Sequence, residues 1–102
     1  MDKVFKALSD PTRRRILQLL REREMSAGEI ADCFALSKPT MSGHFGVLRE
    51  ADLVASERAG ASIVYRLNVS VLEEALAGFA ELLGIGTPRA RAARKKGKLR
   101  GA

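Results

Sequence analysis

The chain is short of the residues from which catalytic and redox centres are built. Its 102 residues include one cysteine and one histidine. Cys33 alone excludes an internal disulfide. His44 alone cannot supply a nucleophile–base set, and one thiol with scattered carboxylates does not make a zinc site. No paired carboxylates and no Gly-rich phosphate loop are present, so the expectation is a protein that is not an enzyme and takes no cofactor and no metal. No apolar run approaches the length needed to span a bilayer. The opening Met1-Asp2-Lys3-Val4-Phe5 lacks the basic and apolar blocks of a secretory signal, so a cytoplasmic location is expected. There is no internal repeat, and the length suits one domain with a modest core.

Acid is missing from one region. All twelve Asp and Glu lie before residue 85, while seven of the eighteen Lys and Arg lie after residue 84. The net charge of +6 therefore belongs to the end of the chain, and residues 1–84 are close to neutral. We expect residues 85–102 to be a basic, disordered tail, either a solubilising extension or an arm that seeks phosphate. A basic balance supplied by an appendage is weak support for a nucleic-acid partner. Residue placement has to carry that case.

What the chain does have is clear helix punctuation. Asp2 to Leu8 reads as a short helix with Val4, Phe5 and Leu8 on one side. Asp10 and Pro11 open a second helix, reaching about Glu24, with Ile16, Leu19 and Leu20 on one face and Leu17 beside it. Ser26-Ala27-Gly28-Glu29 is a capping box that starts a third helix, ending near Ala35. Ser37 caps a fourth, with Pro39 in its first turn and its end near Ala51. Leu53 to Glu57 and Ile63 to Leu67 read as strands joined at Ala59-Gly60-Ala61, with Ile63, Tyr65 and Leu67 turned to the core. A last helix runs from about Ser70 to Leu83 and carries Leu72, Leu76, Phe79 and Leu83 as a narrow apolar stripe. The order gives an α+β, mostly α fold: a winged helix-turn-helix of about five helices and a two-stranded β-wing, over residues 1–84. That shape is used chiefly to lay a helix in the DNA major groove.

The fourth helix is the candidate reading head. At 100° per residue, Met41, Phe45 and Leu48 fall within about 60° of one another and form its buried seam. Pro39, Gly43, Gly46 and Glu50 lie opposite; Lys38, Ser42 and Arg49 flank one side, and Thr40, Val47 and His44 the other. Gly43 would let the helix sit deep in a groove, while Thr40 and Ser42 can exchange hydrogen bonds with base edges. Ser37 is a cap whose hydroxyl can also meet a phosphate, and Lys38 is a phosphate partner. His44 borders the core face, where a structural histidine is the rival reading. Arg58, on the wing, could meet the backbone or the minor groove, or simply be solvated. Arg13, Arg14 and Arg15 spread over about 200° and make no patch. Arg13 is expected to pair near Asp10 or pack by its stem, and Cys33 to be a small buried apolar residue.

Leu8-Ser9-Asp10-Pro11-Thr12-Arg13, Ile16-Leu17, Ser37-Lys38-Pro39-Thr40-Met41-Ser42, His44-Phe45, Val47-Leu48-Arg49-Glu50-Ala51 and Tyr65-Arg66-Leu67 together resemble the ArsR family of bacterial repressors. Ser26-Ala27-Gly28-Glu29, Ser37-Lys38-Pro39 and Val71-Leu72-Glu73 are most similar to its non-metal, Sdp-type autorepressor branch. The resemblance implies a homodimer joined through the first and last helices, here Val4, Phe5 and Leu8 with Leu72, Leu76, Phe79 and Leu83. It also implies DNA contact at Ser37, Lys38, Thr40, Ser42 and His44, with support from the wing. Metal-sensing members carry a Cys-x-Cys pair where this chain has Ser26 and Gly28, and its last helix has Glu73, Glu74 and Glu81 but no histidine. Gly43, Gly46 and the sparsely charged wing tip also depart from the family pattern. The expected function is a repressor that occludes a palindromic promoter site as a dimer, its two reading helices about 34 Å apart. The alternative is a winged-helix module that binds a membrane or other protein partner.

Overall fold

The computed structural model of the chain describes residues 2–85. Among them are five helices and a three-stranded antiparallel sheet: α1 (Asp2–Leu8), α2 (Pro11–Glu22), β1 (Met25–Ser26), α3 (Ala27–Ala31), α4 (Lys38–Glu50), β2 (Val54–Ala59), β3 (Ser62–Leu67) and α5 (Val69–Leu82). The chain divides into two compact units at Leu72 and Glu73.

In the first unit the starts of α2, α3 and α4 are chemically specified. Asp10 caps α2 by accepting Arg13 N–H at 3.0 Å, with Pro11 in the first turn. At Ser26 the capping box is complete: Ser26 Oγ accepts Glu29 N–H at 3.1 Å and Glu29 Oε1 accepts Ser26 N–H at 2.9 Å. The Ser26 N–H and the Arg23 side chain together hold the Glu29 carboxyl below its ordinary pKa. Ser37 caps α4 by accepting Thr40 N–H at 3.3 Å.

Helix ends are equally definite. α2 stops at Glu22 and α3 at Ala31, both earlier than the sequence pattern suggests. Past Ala31 the backbone tightens to i→i−3 bonds, Cys33 N–H to Ile30 O and Phe34 N–H to Ala31 O, both 3.0 Å. α4 closes with paired reverse bonds, Asp52 N–H to Arg49 O at 2.9 Å and Leu53 N–H to Leu48 O at 3.1 Å. That closure needs a left-handed residue, and Asp52 takes φ 57° where glycine is usual. The two residues its longer bond joins, Leu48 and Leu53, are both fully buried.

The core is built from Val4, Ala7, Ile16, Leu17, Leu20, Met25, Ile30, Met41, Phe45, Leu48, Leu53, Val54 and Tyr65. The sheet order is β1-β3-β2, so the wing's second strand is central. β1 is a strand the hydrophobic pattern does not reveal, pairing Met25 with Tyr65 and Ser26 with Val64. The hairpin loop is Gly60-Ala61, with Gly60 at φ 62° in the first central position, as a II′ turn requires. Tyr65 stacks on Phe45 of α4, ring centroids 4.6 Å apart and 19° from parallel. Such pairs add about 0.5–1.5 kcal/mol beyond area burial, and this one fixes the wing to the fourth helix. Asn68 ties the hairpin root to the end of α4, its N–H to Leu53 O and its Nδ2 to Asp52 O, both 2.9 Å.

Two expectations need correcting. Ile63 is 37% exposed, because the hairpin projects past the core and only its root is covered. Cys33 is exposed, not buried, because α3 has already ended and the residue rides on a turn. In the last helix no residue is buried. It ends at Leu82 and is closed by Gly84, φ 74°, with Ile85 N–H bonded to Ala80 O at 2.8 Å. The expected basic tail falls almost wholly outside the described residues.

Candidate nucleic-acid interface

The fourth helix is amphipathic in the sense its sequence implies. Met41, Phe45 and Leu48 are buried. Ser37, Lys38, Pro39, Thr40, Ser42 and Gly43 are all exposed, so the N-terminal half of α4 offers a continuous polar face to solvent. His44 sits at the edge of that face with its side chain 15% exposed. Arg58 is exposed near the outer end of β2, opposite Ile63 in the hairpin register.

The chemistry of this face follows from its internal bonds. Ser37 Oγ donates to Thr40 Oγ1 at 2.8 Å while accepting Thr40 N–H. Thr40 thus receives a hydrogen bond and keeps its own hydroxyl hydrogen for an outside acceptor. Of the first-turn amides, Pro39 has none and that of Thr40 is spent on Ser37, so an anion here would rely on Lys38 more than on backbone N–H groups.

Among the described residues nothing gives Gly43 or Gly46 a steric reason to be glycine. A Cβ placed on either would meet nothing within 4 Å. Both line a cleft of about 690 Å³ whose other walls include Lys3 and Lys6 of α1 and Arg49 and Glu50 of α4. Lys3 and Glu50 face each other there at 3.7 Å, both well exposed, a pair worth little in stability. The cleft and its lysines were not legible in the sequence, because nothing in the spacing of α1 says which helix it crosses.

Arg13 is the residue most undervalued by sequence. It caps the end of α1, its Nε donating to Ala7 O at 2.9 Å and its Nη2 to Lys6 O at 2.7 Å, and its Nη1 lies 3.1 Å from His44 Nδ1. Asp10 Oδ2 stands 3.8 Å from the same ring nitrogen. Backbone donation from Arg13, helped by the nearby Arg13 guanidinium, outweighs partial desolvation and holds the Asp10 carboxyl below its ordinary value. Arg13, expected to pair near Asp10 or pack by its stem, meets Asp10 through its backbone N–H, with the guanidinium turned to α1 and His44.

Among the described residues no three His, Cys, Asp or Glu side chains come together to hold a metal ion, and no helix is long and apolar enough to cross a membrane.

A capped helix held against a three-stranded wing, with its outer half polar and open, defines a winged helix-turn-helix protein. The family model of a helix-turn-helix domain matches residues 8–57. The transcriptional repressor SdpR of Bacillus subtilis is 47% identical over 76 residues, 74% of this chain and 84% of that protein. The HTH-type transcriptional regulator KmtR of Mycobacterium tuberculosis is 40% identical over 89 residues, covering 84% of this chain and 68% of that one. The solved structure of an ArsR-like transcriptional regulator from Rhodococcus sp. RHA1 superposes with a TM-score of 0.70 at 34% identity, covering 93% and 89% of the two chains. The chain belongs to the ArsR family of winged helix-turn-helix regulators. It is a DNA-binding transcriptional repressor and not an enzyme.

Proposed function

We propose that the protein represses transcription as a cytoplasmic homodimer that covers a roughly palindromic promoter site, its own promoter among the targets. One observation carries the reading. The N-terminal half of α4 is solvent-open along Ser37, Lys38, Thr40, Ser42 and Gly43, while Met41, Phe45 and Leu48 anchor its back. In this reading Thr40 and Ser42 meet base edges, Ser37 and Lys38 meet phosphate, and Arg58 on the wing meets the backbone alongside. Two such helices related by a two-fold axis fit major-groove segments about 34 Å apart.

Residues 1–84 would form the DNA-binding and dimerisation domain and residues 85–102 a basic tail. The dimer would join through α1 and α5. Val4 is buried inside its own subunit, so α1 would contribute chiefly Phe5 and Leu8. On α5 the contributors would be Leu72, Leu76, Phe79 and Leu83. A protein or membrane partner would be one candidate for the releasing signal; Ser26 and Gly28 stand where a thiolate pair would bind metal.

The test is selection of bound sites from random duplex DNA, followed by Thr40→Ala and Ser42→Ala on the selected site. Each substitution should weaken specific binding by about 1–3 kcal/mol and leave non-specific binding nearly unchanged. Equal losses on both kinds of DNA would reduce the two residues to phosphate holders.

A further inference from the structure

The bond between Arg13 Nη1 and His44 Nδ1, 3.1 Å, can run in one direction only. A guanidinium has donors and no lone pair to accept with. His44 Nδ1 must therefore be the acceptor and carry no proton, which leaves the ring hydrogen on Nε2. The other charged group at that nitrogen, Asp10 Oδ2, is 3.8 Å away, beyond hydrogen-bond distance, and is already accepting Arg13 N–H. The guanidinium is itself locked, since its other nitrogens hold the Ala7 and Lys6 carbonyls at the end of α1. Among the described residues no polar side-chain atom is both buried and unpartnered. His44 Nε2, for which the described residues provide no hydrogen bond, therefore reaches solvent. It does so from one helical turn beyond Thr40, at the rim of the exposed face.

We propose that Arg13 is a positioning residue for DNA recognition: it fixes the His44 ring in the Nε2–H tautomer, so that α4 presents a directed hydrogen-bond donor to an oxygen or nitrogen acceptor of the duplex. This rests on the reading that α4 faces DNA. A histidine without such a partner can donate or accept at either nitrogen and must be oriented on binding. Here the orientation is set beforehand, by a residue that keeps its own charge away from the helix face. Arg13 acts through His44 and touches no DNA.

Two substitutions separate the ring's two nitrogens. His44→Asn leaves an amide oxygen near the Nδ1 position, keeping an acceptor for Arg13 and removing the distal donor. His44→Gln leaves an amide N–H near the Nε2 position, keeping the donor and removing the acceptor. On the selected operator, His44→Asn should melt close to the wild type yet bind about tenfold more weakly. His44→Gln should melt lower and, with the donor kept but no longer held by Arg13, bind more weakly than wild type yet more tightly than His44→Asn at temperatures where it is folded. Repeating the titration on random-sequence duplex distinguishes the acceptor: a loss confined to the operator assigns a base edge, and an equal loss assigns a phosphate oxygen. Nitrogen-15 spectra of the free full-length protein should place the His44 proton on Nε2, and Arg13→Gln should return the ring to a tautomer mixture. A wild-type proton on Nδ1 overturns the proposal. So does wild-type affinity in His44→Asn alongside weakened binding in Thr40→Ala, which leaves the α4 reading standing. A wild-type protein that ignores every duplex at low salt overturns both.

Discussion

Asp10 caps the start of α2, its Oδ2 accepting Arg13 N–H. The backbone donor is the main reason its carboxyl is held below the ordinary value of 3.8. A carboxyl whose pKa is lower folded than unfolded adds stability when ionised in both states, and that stability is lost as the pH falls through the lowered value. The benefit of Asp10 should thus be complete above about pH 5 and fade below it. Asp10→Ala should melt below the wild type at pH 7, and the gap should narrow as melts are repeated toward pH 3. A constant gap across that range would mean that the cap works without its charge. The cap itself was legible in the sequence, since Asp-Pro before an apolar periodic segment is a start signal. The bond from Arg13 to His44 was not. It joins residues 31 apart, and neither helical periodicity nor cap chemistry reports on contacts between elements.

At the scale of elements, α4 shows where local signals suffice and where they fail. Its span, its Ser37 cap and its buried seam all follow from spacing, and the structure keeps them. β1 escaped because two residues cannot show a period of two, and its pairing depends on where β3 arrives. Ile63 alternates correctly with Tyr65, but alternation cannot say how far the core extends along a projecting hairpin. Gly43 marks the limit in the other direction: the sequence shows a costly residue, and among the described residues none crowds the place its Cβ would take. Gly43→Ala should therefore stabilise the fold by about 0.5–1 kcal/mol, the helical preference of alanine over glycine. If α4 sits deep in the groove, the added methyl should at the same time weaken operator binding. Paired urea denaturation and operator titration read both effects. A variant that gains stability and binds at full strength would place this side of α4 away from the duplex.

On the scale of the whole molecule, residues 1–84 are close to neutral and bring little net charge to a duplex. With few excess cations near the reading head, one subunit gathers little affinity from the electrostatic term that dominates most DNA binding. Two subunits on one site make the second docking intramolecular, and such linkage raises affinity by roughly 10²–10⁴-fold without any new kind of contact. The last helix has the composition for that linkage. None of its residues is buried, yet Leu72, Leu76, Phe79 and Leu83 recur at helical spacing, with Leu76 47% and Leu83 56% exposed. Exposed leucines of that kind are unfavourable in water, and a second copy of the same helix would cover them by two-fold symmetry. Leu76 is the informative position, because its exposure means that a polar substitution costs the lone subunit little. Leu76→Asp should fold, sediment as a monomer, and bind the full operator roughly 10²–10⁴-fold more weakly than wild type. Its affinity for an isolated half-site should be unchanged, because Thr40, Ser42 and their supports remain intact within residues 1–72. A Leu76→Asp protein that still sediments as a dimer would move the interface off this helix. Loss of half-site binding as well would show that the substitution reaches the reading head through the fold rather than through the partner.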